Sequence, residues 1–259
     1  MPALQVTLLG TGTSQGIPVI GCTCATCQSL DPRDKRLRSS LRISSEQTHI
    51  VIDTGPDFRQ QMLQWGPPKL DAVVFTHEHN DHIAGLDDIR PYYFRQRRPI
   101  PLYGLPRVLD NIQKRFDYLF SNTSYPGIPS VHLHELTPYA TVRIGDIALL
   151  PLTVYHGQLP ILGFKIGNLA YLTDVKSIPD ETLAHLHGVD TLILNALQPS
   201  PHHSHLSLQE ALQWIDELKP RRAFLTHLSH HLGPHRDLHS QLPPHIAPAY
   251  DGLTIDVEG

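Results

Sequence analysis

The hydrophobic and polar positions of this chain form short apolar runs separated by longer amphipathic stretches. Apolar runs rich in β-branched residues predict a group of strands over residues 4–53 and a second strand-rich half over residues 131–174. Amphipathic stretches predict helices near 57–65, 81–90 and 105–120, and helix, strand, helix and strand then lead up to residue 227. Two similar halves, each β and then α, predict the α/β class and a four-layered αββα sandwich.

The hexapeptide HEHNDH at residues 77–82 is the most informative local feature of the chain. It follows an apolar run at 71–76 that predicts a buried strand, and it precedes an amphipathic stretch at 83–89 that predicts a helix. Side chains at such a strand-to-helix turn can converge on one point. Three imidazoles and one carboxylate at this spacing indicate a metal site rather than a histidine-rich surface loop.

Three later apolar runs each end in a residue that can bind a metal: His156, Asp174 and His227. Ligands at the ends of strands that share one edge of a sheet converge without help from flexible loops. Five histidines and two aspartates are too many for one tetrahedral zinc ion, and they are about right for two metals with a bridging carboxylate.

The three cysteines of the chain, Cys22, Cys24 and Cys27, lie within six residues. Three thiols cannot form a complete set of disulfides, and their spacing is typical of thiolate metal ligands. A structural zinc needs four ligands, so a fourth must come from elsewhere in the chain.

These motifs resemble the metallo-β-lactamase superfamily of dinuclear hydrolases, and the similarity runs from residues 8–12 to residues 250–252. The resemblance implies the metallo-β-lactamase fold. It implies that Asp53, on an early strand, supports the histidine loop from behind. It also implies a first metal held by His77, His79 and His156, a second held by Asp81, His82 and His227, and Asp174 as the bridge between them.

Within the superfamily, the cysteine cluster and the sequence at 225–230 most resemble the phosphoribosyl 1,2-cyclic phosphate phosphodiesterase of the carbon–phosphorus lyase pathway. That resemblance implies that His230 completes a structural zinc site with the cysteines, with the adjacent His231 as its rival. Such a zinc would connect the loop at 22–27 to the loop that carries His227.

His205 lies just ahead of a capping box, Ser207 to Glu210, that predicts the start of a helix over 208–218. The same resemblance implies that this histidine faces the substrate and transfers a proton without binding metal. His202 and His203 are close rivals for that role, and an ordinary surface position for His205 also stays open.

Length and composition add limits to this interpretation. The 259 residues suit one large domain, 1–259, because the predicted ligands span residues 77 to 227. A net charge of −4 gives no global attraction for polyanions, which argues against nucleic acid as a partner. No apolar run approaches the roughly 18 residues of a membrane span, and no signal peptide is evident at the start. Clustered thiols fit a reducing cytoplasm, and a homodimer stays open.

The chemistry expected of this site is hydrolysis of a small phosphodiester, with a cyclic ribose phosphate as one candidate. A hydroxide bridging two divalent metals, either Mn²⁺ or Zn²⁺, would attack, and Asp81 and Asp174 would orient it while His205 protonates the leaving oxygen.

Three alternatives remain open. A ribonuclease of the tRNA 3′-processing type shares the ligands, although the chain has no long glycine- and proline-rich arm. A thioesterase or lactonase can use the same fold. A non-catalytic accessory protein of pyrroloquinoline quinone biosynthesis has a related cysteine cluster, but the complete ligand set argues for catalysis.

Overall fold

The fold was analysed in a computed structural model that describes residues 3–120 and 127–257. The described chain forms two seven-stranded mixed sheets flanked by helices, which is the α/β arrangement of the metallo-β-lactamase fold. The fold class predicted from the hydrophobic pattern is therefore confirmed.

The first sheet has the strand order β14-β1-β2-β3-β4-β5-β6. Its neighbours are antiparallel from β14 to β3 and parallel from β3 to β6. The strands are β1 Leu4–Gly10, β2 Ser40–Ser44, β3 His49–Ile52, β4 Ala72–Val74, β5 Ile100–Gly104, β6 Val131–Glu135 and β14 Thr254–Val257.

The second sheet repeats this arrangement with the order β13-β12-β11-β10-β9-β8-β7. Its neighbours are antiparallel from β7 to β10 and parallel from β10 to β13. The strands are β7 Val142–Ile144, β8 Ile147–His156, β9 Leu159–Ile166, β10 Leu169–Leu172, β11 Thr191–Asn195, β12 Arg222–Thr226 and β13 Ile246–Pro248.

Helices cover the outer face of each sheet. The α-helices are α1 Ala25–Gln28, α2 Phe58–Trp65, α3 Asn80–Ile83, α4 Arg90–Gln96, α5 Pro106–Arg115, α6 Asp180–Leu186, α7 Leu208–Leu218 and α8 His235–Ser240. Short 3-10 helices lie at Pro32–Asp34, Leu86–Ile89, Asp117–Leu119 and His230–Leu232. Among the described residues, no helix is long and apolar enough to cross a membrane.

Three apolar layers hold the sandwich together, because both sheets are buried on both faces. The central layer packs Leu41 and Ile52 of the first sheet with Leu162 and Phe164 of the second. One outer layer joins the first sheet to α2, α4 and α5, and the other joins the second sheet to α6, α7 and α8.

Several predicted elements match the structure and others differ, among them the helix predicted over 105–120, which ends as α5 at Arg115 and is followed by a separate 3-10 helix. The helix predicted over 208–218 is α7 with the same ends. The predicted strand group over 4–53 contains, between β1 and β2, a long connection with the short helix α1 and a 3-10 helix. The helix predicted over 81–90 is divided into α3 and a 3-10 helix. The division lies at Gly85, whose N–H donates to Thr54 O across the fold instead of continuing the helix.

A last difference concerns how the two predicted halves of the chain divide between the two sheets. Strand β6, predicted with the second half, and the C-terminal β14 both pair in the first sheet. The chain therefore returns to its first sheet before it ends.

Candidate metal centres

Five strands direct the predicted metal site to one edge of the sandwich. Strands β3 and β4 end just before Asp53 and His77, and β10 and β12 end just before Asp174 and His227. His156 is the last residue of β8. These are the carboxyl ends of the strands, where ligands in α/β folds commonly gather.

His77, His79 and His156 form the first group of converging side chains. His77 Nε2 lies 3.0 Å from His79 Nδ1, and the ring of His156 lies 5.0 Å from that of His79. Two nitrogens bound to one zinc at about 2.1 Å would lie about 3.0–3.4 Å apart, so this pair already has the spacing of metal ligands. One ligand atom from each of the three residues lies within 4.8 Å of the others.

Asp81, His82, Asp174 and His227 form a second group beside the first. His82 Nε2 lies 3.2 Å from Asp81 Oδ2 and 3.5 Å from Asp174 Oδ1. Asp174 Oδ1 lies 3.1 Å from His227 Nδ1, whereas its Oδ2 lies 4.0 Å from His77 Nε2. The Asp174 carboxylate therefore faces both groups, which is the position that a bridging ligand would need.

The donor set fits two divalent cations. His82 Nε2 is buried and makes no hydrogen bond within the described residues, although it points towards two carboxylates. A buried polar atom without a partner costs free energy, and a metal ion in this position would satisfy it. Imidazole and carboxylate ligands accept either Zn²⁺ or Mn²⁺.

Asp53, which the resemblance places behind the histidine loop, contacts that loop directly. It is completely buried and accepts hydrogen bonds from Thr76 N at 2.8 Å and Thr76 Oγ1 at 2.7 Å. Its Oδ2 also lies 2.7 Å from His82 Nδ1. A hydrogen bond donated by His82 Nδ1 to this carboxylate would leave Nε2 to a metal that displaces its proton.

Two further contacts orient ligand histidines and were not predicted from the sequence. His156 Nδ1 donates to Ser204 O at 2.9 Å. His227 Nδ1 lies 3.1 Å from Ser39 Oγ, which itself donates to Gly12 O at 3.0 Å. Ser39 and His227 are 188 residues apart, and no local pattern marks the serine.

Asp53, Asp174 and His227 all have left-handed backbone conformations, with φ of 64°, 59° and 53°. This region is uncommon for residues other than glycine, and aspartate and histidine tolerate it better than β-branched residues. At each position it turns the chain sharply as a strand ends. Sparsely populated conformations of this kind cluster at functional sites.

Burial and neighbouring charges set the protonation of the site. Burial lowers the pKa of His77 well below its usual value, so this imidazole is neutral at pH 7. Burial raises the pKa of Asp174, but the neighbouring His227 and His82 outweigh it and hold the pKa well below the usual range. Neutral imidazole and ionised carboxylate are the forms that bind metal.

The cysteine cluster and His230 form a separate centre. His230 Nδ1 lies 3.2 Å from Cys22 Sγ, 3.4 Å from Cys24 Sγ and 3.6 Å from Cys27 Sγ. Sulfur and nitrogen ligands of one tetrahedral zinc would lie about 3.5 Å apart, so the four atoms fit a closed zinc site. His231, the rival for the fourth position, is exposed, and it does not belong to this group.

Two of the cysteines in this cluster, Cys24 and Cys27, differ in their electrostatic environment. The Cys27 N–H, followed by His230, lowers the pKa of Cys24 to about 6, whereas burial raises the pKa of Cys27 to about 11. A bound zinc deprotonates a coordinating thiol outright, so both cysteines can serve as thiolates in the loaded protein.

His205 is buried beside the two groups of predicted ligands, and one of its nitrogens lies within 4.8 Å of ligand atoms of His156 and Asp174. Its ring lies 4.5 Å from that of His156 and 4.9 Å from that of His227, and its Nδ1 is buried without a partner among the described residues. Burial, followed by His227, lowers its pKa to about 3. His202 is half-buried one ring further out, 5.3 Å from His205, and His203 is exposed.

The segment that carries His205 is fixed on both sides. Leu206 N donates to Val175 O at 2.7 Å, next to Asp174. The predicted capping box is present, and Lys176 Nζ lies 2.6 Å from Glu210 Oε1. The two hydrogen bonds of the capping box both join Ser207 to Glu210, so they hold the chain two residues after His205.

Helix α5 holds the histidine loop through the two residues of the hexapeptide that are not predicted ligands. Glu78 Oε1 lies 2.8 Å from Arg107 Nε, and Arg115 Nη1 donates to Asn80 Oδ1 at 2.8 Å. Basic residues at 90–98, by contrast, form ion pairs outside the histidine loop: Arg90 pairs with Asp87, and Arg98 pairs with Asp71.

The family described as "Beta-lactamase superfamily domain" matches residues 48–228, which include the hexapeptide, His156, Asp174 and His227. The chain belongs to this superfamily. It has the metallo-β-lactamase fold, and proteins with this fold are mostly hydrolases that bind divalent metals such as zinc.

Two similar proteins narrow the position of the chain within the superfamily. A solved structure described as a new diphosphatase from the PhnP family has a TM-score of 0.91 and 39% sequence identity, over 98% of this chain and 97% of that one. The "Octanoyltransferase" of Porphyromonas gingivalis (strain ATCC BAA-308 / W83) is 43% identical over 99% of this chain and 52% of its own length. The chain thus lies near the PhnP family and spans about half the length of that curated relative.

A third similarity concerns the fold alone. The zinc-bound PqqB of Methylobacterium extorquens has a TM-score of 0.77 at 18% identity, over 98% of this chain and all of that one (100%). At this identity the match supports the shared architecture and the metal-binding fold, and it carries no argument about substrate.

Proposed function

We propose that this chain is a dinuclear metal-dependent phosphodiesterase that hydrolyses a small phosphodiester, with a cyclic ribose phosphate as the leading candidate. The observation that carries the proposal is the position of Asp174 between two groups of predicted ligands, with the buried His205 beside them. His77, His79 and His156 would hold one metal, and Asp81, His82 and His227 would hold the other.

Two bound divalent metals would lower the pKa of a water and neutralise charge that develops on a phosphoryl group. The chain's own residues supply orientation and proton transfer. Asp81 and Asp174 balance the charge of the site and accept hydrogen bonds from an attacking water. His205 Nδ1 has no partner among the described residues, so it is free to hold a proton for the leaving oxygen.

The low pKa of His205 in the absence of ligands is compatible with this role. Burial in the protein disfavours the imidazolium, whereas a phosphodiester anion within hydrogen-bonding distance favours it. Substrate binding would therefore raise the proton affinity of His205 at the moment when the proton is needed.

The comparisons support this class of reaction and leave the substrate open. A diphosphatase cleaves a bond at phosphorus, as a phosphodiesterase does. The name octanoyltransferase favours a second candidate, a thioesterase that acts on an acyl thioester. The pocket beside His205 and His227 is lined mostly by polar residues, with Leu197 as its apolar side chain, which favours the phosphodiester.

The decisive experiment is a substrate panel with purified, metal-reconstituted protein. The panel contains a cyclic ribose phosphate, bis-p-nitrophenyl phosphate, a nucleoside diphosphate, octanoyl thioester and precursor tRNA. We expect turnover of the diesters to exceed that of the thioester and the tRNA. Preferential thioester hydrolysis would establish the second candidate, and no turnover of any ester would favour a non-catalytic accessory role.

Metal analysis tests the two centres independently. We expect close to three metals per chain, one of them a zinc that resists mild chelation at Cys22, Cys24, Cys27 and His230. A fully active preparation with one metal per chain would contradict the dinuclear site. A reducing cytoplasm belongs to the same proposal, because the three thiols must stay reduced to bind zinc.

A further inference from the structure

Strand β11 lies between the two strands that lead to the predicted ligands Asp174 and His227. It pairs in parallel with both, and its last residue, Asn195, lies opposite Thr226 of β12. Asn195 is completely buried. An amide in such a position costs free energy unless it is hydrogen-bonded.

The side chain of Asn195 holds the turn that carries Asp174. Its Oδ1 accepts a hydrogen bond from Val175 N at 2.7 Å. Val175 directly follows Asp174, whose φ of 59° ends the extended conformation of the strand. Because Val175 is completely buried, its N–H would be left unpaired in the interior without this oxygen. The hydrogen bond therefore stabilises the turn in which Asp174 faces both groups of predicted ligands.

The same turn holds the segment that carries His205. Leu206 N donates to Val175 O at 2.7 Å, and Leu197 N donates to Leu206 O at 2.9 Å. Leu206 is thus bonded on one side to the turn after β10 and on the other side to the chain just after β11. A movement of Val175 would be passed to His205 through these backbone contacts.

A further contact reaches the loop that carries His227. Ser229 N donates to Leu197 O at 3.0 Å, so this loop is also bonded to the chain just after β11. The end of β11 therefore joins three segments of the site, at 174–175, 205–206 and 227–229.

We infer that Asn195 is a positioning residue of the active site, and that its Oδ1 fixes Asp174 and His205 relative to each other through Val175. The inference rests on the proposed phosphodiesterase function and adds a residue that acts on the site through the backbone. Since the effect is transmitted by one hydrogen bond, it should depend on the acceptor oxygen and not on the volume of the side chain.

Three substitutions of Asn195 separate the acceptor from the volume. Asn195→Ala and Asn195→Leu both remove the oxygen, one with a smaller side chain and one with a larger side chain, whereas Asn195→Asp keeps an acceptor oxygen. The matched control is Ile255→Ala, which opens a cavity in the central layer on β14. This control should lower stability and leave the affinity for metal and the kcat of the folded protein unchanged.

The first measurement is the affinity of the active site for Mn²⁺, followed by the electron paramagnetic resonance signal of the free ion. Asn195→Ala and Asn195→Leu should each bind Mn²⁺ about tenfold more weakly than the parent, as expected for the loss of one buried hydrogen bond. Asn195→Asp should bind Mn²⁺ more tightly than either of them. All three variants should keep one zinc at the cysteine cluster, which lies outside this network.

The second measurement is kcat at saturating Mn²⁺, which tests the link to His205. Asn195→Ala should lower kcat for a cyclic ribose phosphate about tenfold more than kcat for bis-p-nitrophenyl phosphate. An alkoxide needs a proton in order to depart, and p-nitrophenolate does not. An equal loss for the two diesters would overturn the link to His205.

The remaining outcomes separate this inference from the proposed function. If the parent hydrolyses no phosphodiester but the Mn²⁺ affinities follow the expected order, the proposed function fails and the positioning of Asp174 by Asn195 stands. If the parent hydrolyses the diesters and the variants match it in Mn²⁺ affinity and kcat, the inference is wrong, even where stability falls as in Ile255→Ala. Equal affinities of Asn195→Asp and Asn195→Ala would also overturn it, because the acceptor oxygen would then have no effect.

Discussion

At the scale of single residues, the central feature is a carboxylate in a left-handed turn, Asp174, that faces two groups of ligands. Asp174 lies two residues after the end of β10 and has a φ of 59°. Thr173 Oγ1 donates a hydrogen bond to its Oδ1 at 2.7 Å. Both the side chain and the backbone conformation suit an aspartate at this position.

We expect Asp174→Ala to abolish turnover and to lower the bound active-site metal at the same time. A bridging carboxylate would contact both metals, so its removal would weaken the binding of both. Steady-state kinetics and elemental analysis on one preparation measure the two effects. If turnover and metal content both persist, Asp174 is not the bridge, and Asp81 in the same group is the next carboxylate to test.

The second prediction at this scale separates proton transfer from metal binding. His205→Ala should keep full metal content and lower kcat by roughly 10²–10⁴, the usual range for a general acid. The loss should shrink for diesters that release p-nitrophenolate, because such a weak base departs without protonation. An equal loss for good and poor leaving groups would indicate a positioning role, and depleted metal would make His205 a ligand.

At the scale of elements, the histidine loop is held by close backbone contact with the turn after β3. A Cβ added to Gly55 would lie 2.1 Å from Asp81 O, and one added to Gly85 would lie 2.1 Å from Gly55 O. Thr54 N donates to His82 O at 2.7 Å across the same contact. The two backbones approach so closely that no side chain fits between them, so both Gly55 and Gly85 must be glycine.

Gly55→Ala should therefore destabilise the protein by about 1–3 kcal/mol and reduce its metal affinity, since the histidine loop must move. Gly104→Ala is the matched control, because its added Cβ would meet its nearest atoms at 3.5 Å, an ordinary contact. Urea unfolding and metal titration of both variants measure the effects. Equal stability of the two variants would show that the turn after β3 can move without cost.

A second pair of elements is joined by the cysteine cluster. The loop of α1 meets the 3-10 helix His230–Leu232 through the zinc ligands, and Thr26 Oγ1 donates to His230 O at 3.0 Å. His230 follows the active-site residue His227 by three positions, so the zinc would brace that ligand from behind.

Cys24→Ser should lower thermal stability and zinc content more than it lowers the activity of the protein that remains folded. A closed four-ligand zinc contributes folding free energy and leaves no open position for substrate. Thermal unfolding, zinc analysis and activity per folded molecule measure these quantities. A variant as stable as the parent but inactive would place the cysteines in the chemistry.

At the scale of the whole molecule, a polar network joins the beginning of the chain to its end. Asp251 accepts from Thr11 Oγ1 at 2.7 Å and from Leu37 N at 2.6 Å, and the buried Arg36 donates to Thr11 Oγ1 at 2.8 Å. Leu228 N in turn donates to Thr11 O at 2.9 Å, beside the predicted ligand His227. Burial raises the pKa of Asp251 to about 7.

This raised pKa predicts a pH dependence of stability with a definite sign. The pKa of Asp251 is about 3.9 in the unfolded chain and about 7 in the folded protein, so only the folded protein holds the proton between these values. The contribution of this proton to the free energy of unfolding is therefore complete below pH 4 and is lost as the pH rises through 7. Between pH 4 and pH 8, the free energy of unfolding of the parent should fall relative to that of Asp251→Asn. The fall should be less than about 4 kcal/mol, because Asp251 is partly exposed to solvent.

Urea unfolding of both proteins between pH 4 and pH 8 measures this difference. The buried His235, whose pKa is lowered to about 4 by burial, acts in the opposite direction but is present in both proteins and cancels from the comparison. A difference that does not vary with pH would mean that Asp251 stays ionised and paired with Arg36.

The sequence by itself predicted the α/β class, the αββα layers and the residues that the structure brings together at one edge of the sheets. Strand ends are visible as apolar runs, and the residue after each run is the one that lies at the sheet edge, as for His156, Asp174 and His227. The same logic predicted α7 and its capping box, because a helix start depends on residues three positions apart.

Only the tertiary structure decided how these local elements meet. The contacts of Ser39 with His227 and of Asp251 with Leu37 join residues far apart in the chain, so no local pattern contains them. The break at Gly85 overrode a good amphipathic pattern, because the approach of Gly55 is a property of two segments together. Periodicity reports which face of one element is buried, and it carries no information on which atom of another element will lie against that face.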